Sequence, residues 1–269
     1  MDGEYVLGRP HPALAGWVVR YLGYREHSSA PVRRRQAPAG SCPLILSLGP
    51  PIRLYGPAGP SVPASFLAGM HDGPVLTEFT GHQYGVQVDL GPLGVYALLG
   101  RPMRELTNVT PQLTELDVPE LAGLPARLAD APDWPRRFAL LDDVLLRRLD
   151  ASGARPDPEV AWAWRRLVRS AGRVGVQELA DDTGWSRRHL LTRFRQQVGL
   201  GPKTTARVLR FHHAARLLAP ASIYGPPSIV PPSISDVAAA CGYADHAHLV
   251  REFHALAGCT PTEYLAEWS

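Results

Sequence analysis

The sequence is short of the features that build disulfide scaffolds, structural zinc sites and membrane spans. It has only three cysteines in 269 residues, an odd number without Cys-x-x-Cys spacing, which argues against both a disulfide framework and a zinc site. No apolar run approaches the roughly 18 residues of a membrane-spanning helix, and the N-terminal residues do not resemble a secretion signal. These absences predict a cytoplasmic protein without a metal, a cofactor or a membrane partner.

A catalytic constellation is also missing. No nucleophile and base stand at an informative spacing, so the sequence does not predict an enzyme. The histidines of the first half are His11, His27, His71 and His82, and none forms the His-x-His cluster of a metal-binding barrel. His71-Asp72 and His82 could meet on adjacent strands, but structural histidines are the favoured interpretation. We suspect reactivity only of Cys42, whereas Cys241 is expected to be a buried packing residue.

Lysine is nearly absent, and the positive charge that arginine supplies is unevenly distributed. The net charge of the chain is +3, but residues 160–218 carry 12 Lys and Arg against three Asp and Glu. Residues 1–150 are nearly balanced, and residues 219–269 carry one Arg against five acids. Because neutralising phosphates dominates sequence-independent DNA affinity, residues 160–218 are predicted to supply most of any affinity for a nucleic acid.

A duplicated pattern is the most informative positive feature. Six positions recur with an offset of 58 or 59 residues: Ala180 and Ala238, Gly184 and Gly242, Leu190 and Leu249, Phe194 and Phe253, Gly199 and Gly258, and Pro202 and Pro261. The change of offset falls between the first glycine and the following leucine, where a turn can absorb an insertion. We therefore interpret the C-terminal half as two copies of one unit.

Each copy is predicted to be a helix, a tight turn and a second helix. In the first copy, Gly184 ends a helix, Ser186 caps the next, and Leu190, Phe194 and Val198 form one apolar stripe. The second copy is predicted to have Ser235 as its first cap. This arrangement is typical of the helix-turn-helix unit, whose second helix projects and enters a major groove.

The second copy also carries a specific signature. Residues 236–253 read DVAAACGYADHAHLVREF and residues 258–264 read GCTPTEY. With this signature, residues from about 158 to 268 resemble the DNA-binding domain of the AraC/XylS family of transcriptional regulators. The resemblance implies helix-turn-helix units at about 174–199 and 234–258, joined by a bridging helix at about 202–218. It also implies double-stranded DNA as the partner, and it leaves contacts with RNA polymerase and a homodimer as open partners.

The resemblance assigns outward positions on both recognition helices. We predict DNA contacts from Arg187, Arg188, Leu191, Thr192, Arg193, Arg195, His246, Ala247, Val250 and Arg251. The family often has Arg two residues before the recognition-helix Phe, a place that Arg251 keeps and Thr192 does not. Because one residue turns a helix by about 100°, Arg193 is expected to reach a phosphate rather than replace that arginine. We expect the first unit to bind more strongly and the second to add discrimination.

The connection between the copies departs from the family. Residues 219–233 contain five prolines, and the family usually crosses this interval in about half that length. Polyproline segments are extended and semi-rigid, so we predict a protruding loop. An inert surface insertion is the favoured interpretation, with altered subdomain spacing or a protein contact as alternatives.

Residues 1–152 are predicted to form a separate domain before a DNA-binding domain at 158–269. Short apolar runs near residues 44–48, 52–55, 65–68 and 85–90 predict a small β-barrel or sandwich. Helices are predicted from Pro12 to Tyr21 and at 92–99, 102–106 and 135–149. The fold class is therefore α+β, with a β-barrel or sandwich and flanking helices followed by an all-α domain.

Residues 66–74, 85–94 and 98–107 resemble the N-terminal domain of actinobacterial AraC-like regulators, whose family members often bind an effector or dimerise there. We therefore predict a sequence-specific DNA-binding regulator, with a small apolar or aromatic effector at the barrel mouth. The alternative is a small-molecule-binding or metal-dependent barrel enzyme fused to a helical module that binds protein.

Overall fold

The computed structural model describes residues 2–57, 59–218 and 233–267. The predicted proline-rich loop at 219–233 therefore lies outside the described residues, except for its last position. Within the described part of the chain, no helix is both long and apolar enough to cross a membrane.

The chain forms an N-terminal sheet region followed by a helical domain. The strands are β1 (Asp2–Gly8), β2 (Val18–Gln36), β3 (Cys42–Ser47), β4 (Arg53–Gly56), β5 (Gly59–Ser61), β6 (Phe66–Leu67) and β7 (Val75–Leu90). The helices are α1 (Pro92–Leu99), α2 (Pro119–Ala122), α3 (Leu124–Asp130), α4 (Trp134–Ser152), α5 (Pro158–Arg169), α6 (Val176–Thr183), α7 (Arg187–Val198), α8 (Pro202–Leu218), α9 (Ile234–Ala240), α10 (His246–Ala257) and α11 (Pro261–Ala266). This order confirms the α+β class.

The seven strands of the described residues lie in one antiparallel sheet. The order along its main path is β1-β2-β7-β3-β6, with β4 paired to β7 and β5 to β4. Strands β2 and β7 pair along most of their length, and register shifts interrupt the pairing between Val18 and Arg20 and between Ser28 and Val32. Of β7 the sequence predicted only residues 85–90, and it missed β1 and β2, because charged side chains break the apolar alternation of these strands.

The predicted helix from Pro12 to Tyr21 was wrong. A single turn of 3-10 helix covers Pro12–Leu14, and β2 begins at Val18. Gly16 lies between them with a φ of 86°, a left-handed conformation that interrupts a right-handed helix. The β-branched and aromatic residues that follow then favour a strand.

The later helices of the N-terminal region agree better with prediction. Helices at 92–99 and 135–149 are confirmed as α1 and α4, whereas 102–106 is a 3-10 turn over Met103–Leu106. One sheet face packs against these helices through Leu44, Val86 and Val88, which are buried in the main hydrophobic core. The apolar side chains Phe138, Leu141, Leu145 and Leu149 of α4 are buried in the same core.

The second face of the sheet is also buried but has a mixed character. Alternate positions of β7 place Phe79, Gln83 and Asp89 on this face, and all three are buried. Glu26 is opposite Gln83 in the register, is only 3% exposed, and accepts two hydrogen bonds from Arg34 at 2.9 and 2.8 Å. The N-terminal region therefore has an apolar core on one face of the sheet and, on the other face, a second buried layer that contains both polar and apolar side chains.

The helical domain is assembled around α8, the predicted bridging helix. An aromatic cluster joins it to the second half of the domain: the ring of Phe211 lies 4.8 Å from that of Phe253 and 6.4 Å from that of Tyr264. Helices α5 and α7 pack against α8 as well. Both predicted helix pairs thus share one central helix.

Candidate DNA-binding surface

The first recognition helix is α7, as the apolar stripe predicted. Ser186 caps it by accepting a hydrogen bond from the backbone N–H of His189 at 3.2 Å. Leu190, Phe194 and Val198 are fully buried. Burial of this stripe fixes which side of the helix faces away from the protein.

The second recognition helix is α10, and its cap is Asp245, which accepts from the backbone N–H of His248 at 2.6 Å. The predicted cap of the preceding helix was wrong by two residues. Ser233, rather than Ser235, precedes α9 and accepts from the backbone N–H of Asp236 at 3.1 Å. Because α9 begins at Ile234, Ser233 is the N-cap residue, and its side chain accepts a hydrogen bond from a backbone N–H that has no partner within the helix.

The two turns between helices have the same geometry. Gly184 and Gly242 have φ values of 69° and 74°, and the next residue donates its N–H back to the first helix in each unit. These bonds run from Trp185 to the carbonyl of Ala180 at 3.1 Å and from Tyr243 to the carbonyl of Ala238 at 2.9 Å. The sequence duplication is therefore a duplication of backbone structure.

A repeated aromatic–histidine contact was not predicted. The ring of Trp185 meets that of His189 edge-on at 4.4 Å, and Tyr243 meets His248 edge-on at 5.2 Å. His189 and His248 match once the one-residue slip is included, so the signal was present in the sequence. His248 also accepts a hydrogen bond from the N–H of Ala244 at 3.4 Å, which indicates a packing role.

Most of the predicted contact residues are exposed. The exposed members are Arg187, Arg188, Leu191, Thr192, Arg195, His246, Ala247 and Arg251, whereas Val250 is half-buried. Leu191 is 47% exposed, although its chemistry favours burial. Among the described residues, no carboxylate forms an ion pair with Arg187, Arg188, Arg195 or Arg251.

Arg193 is placed differently from the other predicted contacts. Its guanidinium binds Asp157, the residue before α5, through Nε–Oδ2 and Nη2–Oδ1 contacts of 2.6 and 2.8 Å. A third N–H donates to Gln196 at 3.0 Å. The hydrogen bonds from Arg193 lower the pKa of the Asp157 carboxyl, and the pair raises the pKa of Arg193. Arg193 is thus held by the protein on the half-buried side of the helix.

Thr192 occupies the place where the family often has an arginine. Its hydroxyl donates to the carbonyl of Arg188, one turn earlier, at 3.0 Å. The hydroxyl proton is therefore used inside the helix, which leaves the oxygen lone pairs and the methyl group for an external contact.

Other charged side chains of the helical domain form internal ion pairs. Arg166 donates to Glu178 of α6 at 2.7 Å, and Arg207 of α8 holds Glu252 of the second recognition helix at 3.0 to 3.2 Å. Arg207 thereby fixes α10 on the bridging helix. Arg166 and Arg207 therefore have carboxylate partners within the chain, unlike Arg187, Arg188, Arg195 and Arg251 among the described residues.

The suspected groups of the N-terminal region have structural surroundings. His82 lies against His27 across β2 and β7 with ring centroids 4.4 Å apart, and His71 hydrogen-bonds the carbonyl of Gly69 at 2.8 Å. No group of three or more His, Cys, Asp or Glu in the described residues is arranged to hold a metal.

The suspected reactivity of Cys42 is contradicted by its environment. The residue is fully buried, and burial strongly raises the pKa of its thiol. A thiol that stays protonated is a poor nucleophile. The packing role predicted for Cys241 is confirmed, because its side chain is 1% exposed.

Comparison with known families matches the two halves separately. Residues 179–267 match a helix-turn-helix domain family, and residues 8–112 match a domain of unknown function (DUF6597). No curated protein matches the chain.

Solved structures support the same architecture. ToxT from Vibrio cholerae superposes with a TM-score of 0.53 over 100% of both chains at 10% identity. ToxT bound to (E)-4-(8-methylnaphthalen-1-yl)but-3-enoic acid gives 0.52 at 10% identity over 100% of both chains. Unsaturated fatty acid-bound ToxT gives 0.51 at 10% identity, over 94% of this chain and 96% of that chain. At this identity the likeness concerns the fold. The chain therefore combines a helix-turn-helix domain at residues 179–267 with a DUF6597 domain at residues 8–112, and it has the fold of ToxT.

Proposed function

We propose that the chain is a transcription regulator that binds a specific sequence in double-stranded DNA through both recognition helices. In this proposal residues 1–152 form a sensor and dimerisation domain, and residues 158–269 form the DNA-binding domain. The observation that carries it is the pair of matched helix-turn-helix units, whose exposed faces hold four arginines outside the ion pairs of the described residues. Arginine is the residue that most often reads guanine in the major groove.

The two units contribute differently to DNA binding. On α7 the exposed arginines are Arg187, Arg188 and Arg195, whereas α10 has Arg251 with His246 and Ala247. The first unit supplies most of the phosphate neutralisation, and the second adds base discrimination. Arg193 takes no part in DNA contact in this account, because Asp157 holds it. Contacts with RNA polymerase and with a second copy of the chain stay predictions of the resemblance.

Selection from a randomised double-stranded DNA library tests this function. The purified chain is expected to enrich one motif with two conserved boxes, one for each recognition helix. Enrichment should disappear in a variant with Arg188 and Arg251 both changed to Ala. A matched control changes Arg136 and Arg147 to Ala, which removes the same charge from exposed positions on α4. Enrichment of no motif by the parent chain would reject the proposal.

We further propose that the N-terminal region takes a small apolar or aromatic effector. Support comes from the second face of the sheet, on which buried Leu22, Leu54 and Phe66 occur together with buried Glu26 and Gln83. Ligand sites usually combine apolar walls with a few polar groups. ToxT, which shares the fold, has been solved with an unsaturated fatty acid and with a naphthalenyl butenoic acid.

Oleic acid is a suitable first probe for this region. A saturable change in the DNA dissociation constant and in the melting temperature is expected at concentrations below micelle formation. Octyl glucoside at matched concentrations controls for surfactant effects. A response that is absent, or that octyl glucoside reproduces, would reject this effector class and leave the DNA-binding proposal intact.

A further inference from the structure

The N-terminal sheet region contacts the C-terminal end of both recognition helices. Thr107 Oγ1 donates to the carbonyl of Gly199, at the end of α7, at 3.0 Å. Arg35 Nη1 donates to the carbonyl of Ala257, the last residue of α10, at 2.6 Å. The two acceptors lie at nearly matching places in the duplicated units. The same region therefore holds equivalent ends of two helices that are 59 residues apart in the sequence.

The repeated glycines make this approach close. A Cβ atom on Gly199 would lie 3.2 Å from the carbonyl oxygen of Met103 and 3.3 Å from Thr107 Oγ1. A Cβ atom on Gly258 would lie 3.3 Å from Arg35 Nη1 and 3.4 Å from Pro74 Cγ. Each glycine thus ends its recognition helix and also leaves room for the N-terminal region.

The chemistry of these contacts suits a helix end. The last carbonyls of a helix have no partner within the helix and carry the negative end of its dipole. Arg35 places a cation there on α10, and its Nε and Nη2 also donate to Glu267, just after α11, at 3.1 and 3.0 Å. Arg35 of β2 therefore hydrogen-bonds residues at the C-terminal ends of both α10 and α11.

The contacts leave the predicted DNA-reading faces uncovered. Arg187, Arg188 and Leu191 on α7, and His246 and Arg251 on α10, are all exposed while the N-terminal region is in place. The docked region therefore does not block DNA by covering these side chains. The arrangement instead suits a region that holds the two helices in position from their far ends.

We propose that Arg35 and Thr107 are positioning residues that fix the two recognition helices relative to each other for binding to a two-box DNA site. This inference rests on the proposed DNA-binding function. Binding of the second box is an intramolecular step because one chain carries both helices, and holding the helices in position raises its effective concentration. Loosening one helix end lowers that advantage without changing the affinity of the other unit for its own box.

The test compares two DNA duplexes: the two-box site enriched from the randomised library, and the same duplex with its second box scrambled. For Arg35→Met, the ratio of the one-box to the two-box dissociation constant should fall at least about fivefold. The one-box dissociation constant should stay within about twofold of the parent value. Arg35→Met should also tolerate one inserted base pair between the boxes better than the parent chain.

Companion variants separate positioning from general damage. Arg33→Met is the matched control, because Arg33 lies on the same strand and pairs with Glu78 inside the sheet region. Arg35→Lys should recover part of the ratio, and Thr107→Val should lower two-box affinity by about threefold. If Arg35→Met fails to fold, Glu267→Gln removes its ion-pair partner and should produce a smaller fall in the same ratio.

Two results would overturn the inference. One is a ratio and a spacing preference in the folded Arg35 or Glu267 variant that equal those of the parent chain. The other is tighter two-box binding by that variant, which would mean that the contacts inhibit. Failure of the parent chain to enrich any DNA would instead reject the proposed function, and this inference with it.

Discussion

Arg193 and Asp157 form a two-point ion pair between the first recognition helix and the residue that precedes α5, with contacts of 2.6 and 2.8 Å. The backbone N–H of Asp157 also donates to Gln197 of the same recognition helix at 2.8 Å. The start of the helical domain is therefore joined to the inner side of α7. This contact favours a positioning role for Arg193, whereas the sequence predicted a phosphate contact.

The pair makes a prediction that separates the two roles. Arg193→Gln and Asp157→Asn should weaken DNA binding to a similar extent, by about three- to tenfold, because either change frees the helix. The dependence of log affinity on log salt should not change. A phosphate contact predicts the opposite pattern: Arg193→Gln would lower the salt slope by about 0.9, and Asp157→Asn would strengthen binding. Fluorescence anisotropy across a salt series measures both quantities.

Unequal contributions of the two units are the second prediction. Arg188→Ala should weaken DNA binding by about tenfold or more, and His246→Ala by less, because an arginine contact to a base contributes about 1–3 kcal/mol of discrimination. Titrations at one fixed salt concentration compare the two variants. Arg147→Ala, which removes an exposed arginine of α4, should leave affinity nearly unchanged. Equal losses of DNA affinity in the two variants, or a larger loss for His246→Ala, would contradict unequal contributions of the two units.

The lowered pKa of His212 on α8 leads us to expect that the stability of the fold depends on pH. Burial is the main cause that lowers its pKa to about 4; the charges of Arg216, His213 and Arg20 lower it further and Asp89 opposes them. The unfolded chain binds a proton near pH 6.5, whereas the folded chain does so only near pH 4. The free energy of unfolding should therefore fall as pH decreases between these values.

Urea unfolding at several pH values between about 7 and 4 tests the assignment. His212→Gln should flatten the fall in unfolding free energy relative to the parent chain. His27→Gln is a suitable control, because His27 is an exposed histidine of the sheet region. An identical pH dependence in His212→Gln and the parent chain would show that another group is responsible.

Because the three cysteines are buried, we expect the native chain to resist alkylation. Burial raises the thiol pKa of Cys42, and also those of Cys241 and Cys259, so the reactive thiolate is scarce at neutral pH. Iodoacetamide should label none of the three in the native chain and all three in urea, as mass spectrometry of peptides would show. Stoichiometric labelling of native Cys42 would disagree with its burial.

The sequence predicted the helical domain well because its signals are local. Gly184, Ser186 and the stripe from Leu190 to Val198 each act within one or two turns, and the duplication provided a second copy. The second cap was misplaced because Ser233 and Ser235 offer the same chemistry two residues apart. Only the position at which the chain enters α9 distinguishes them.

The sheet region was harder to predict because its strands depend on distant partners. Strand β2 includes Arg33, Arg34 and Arg35, a run that is typical of a solvent-exposed segment. In the structure these arginines pair with Glu78, Glu26 and Glu267, respectively. Glu78 and Glu267 are far from the arginines in the sequence. The placement of Arg193 was missed for the same reason, since Asp157 is 36 residues away.

Protection of guanine N7 from dimethyl sulfate tests the central claim most directly, because this atom lies in the major groove. The footprint of the chain on its selected DNA should show two protected segments on one face of the duplex, about one helical turn or 10 base pairs apart. Arg251→Ala should lose the weaker segment and keep the stronger one. A single protected segment in the parent chain, or no protection of guanine N7 at all, would contradict recognition by two matched helices.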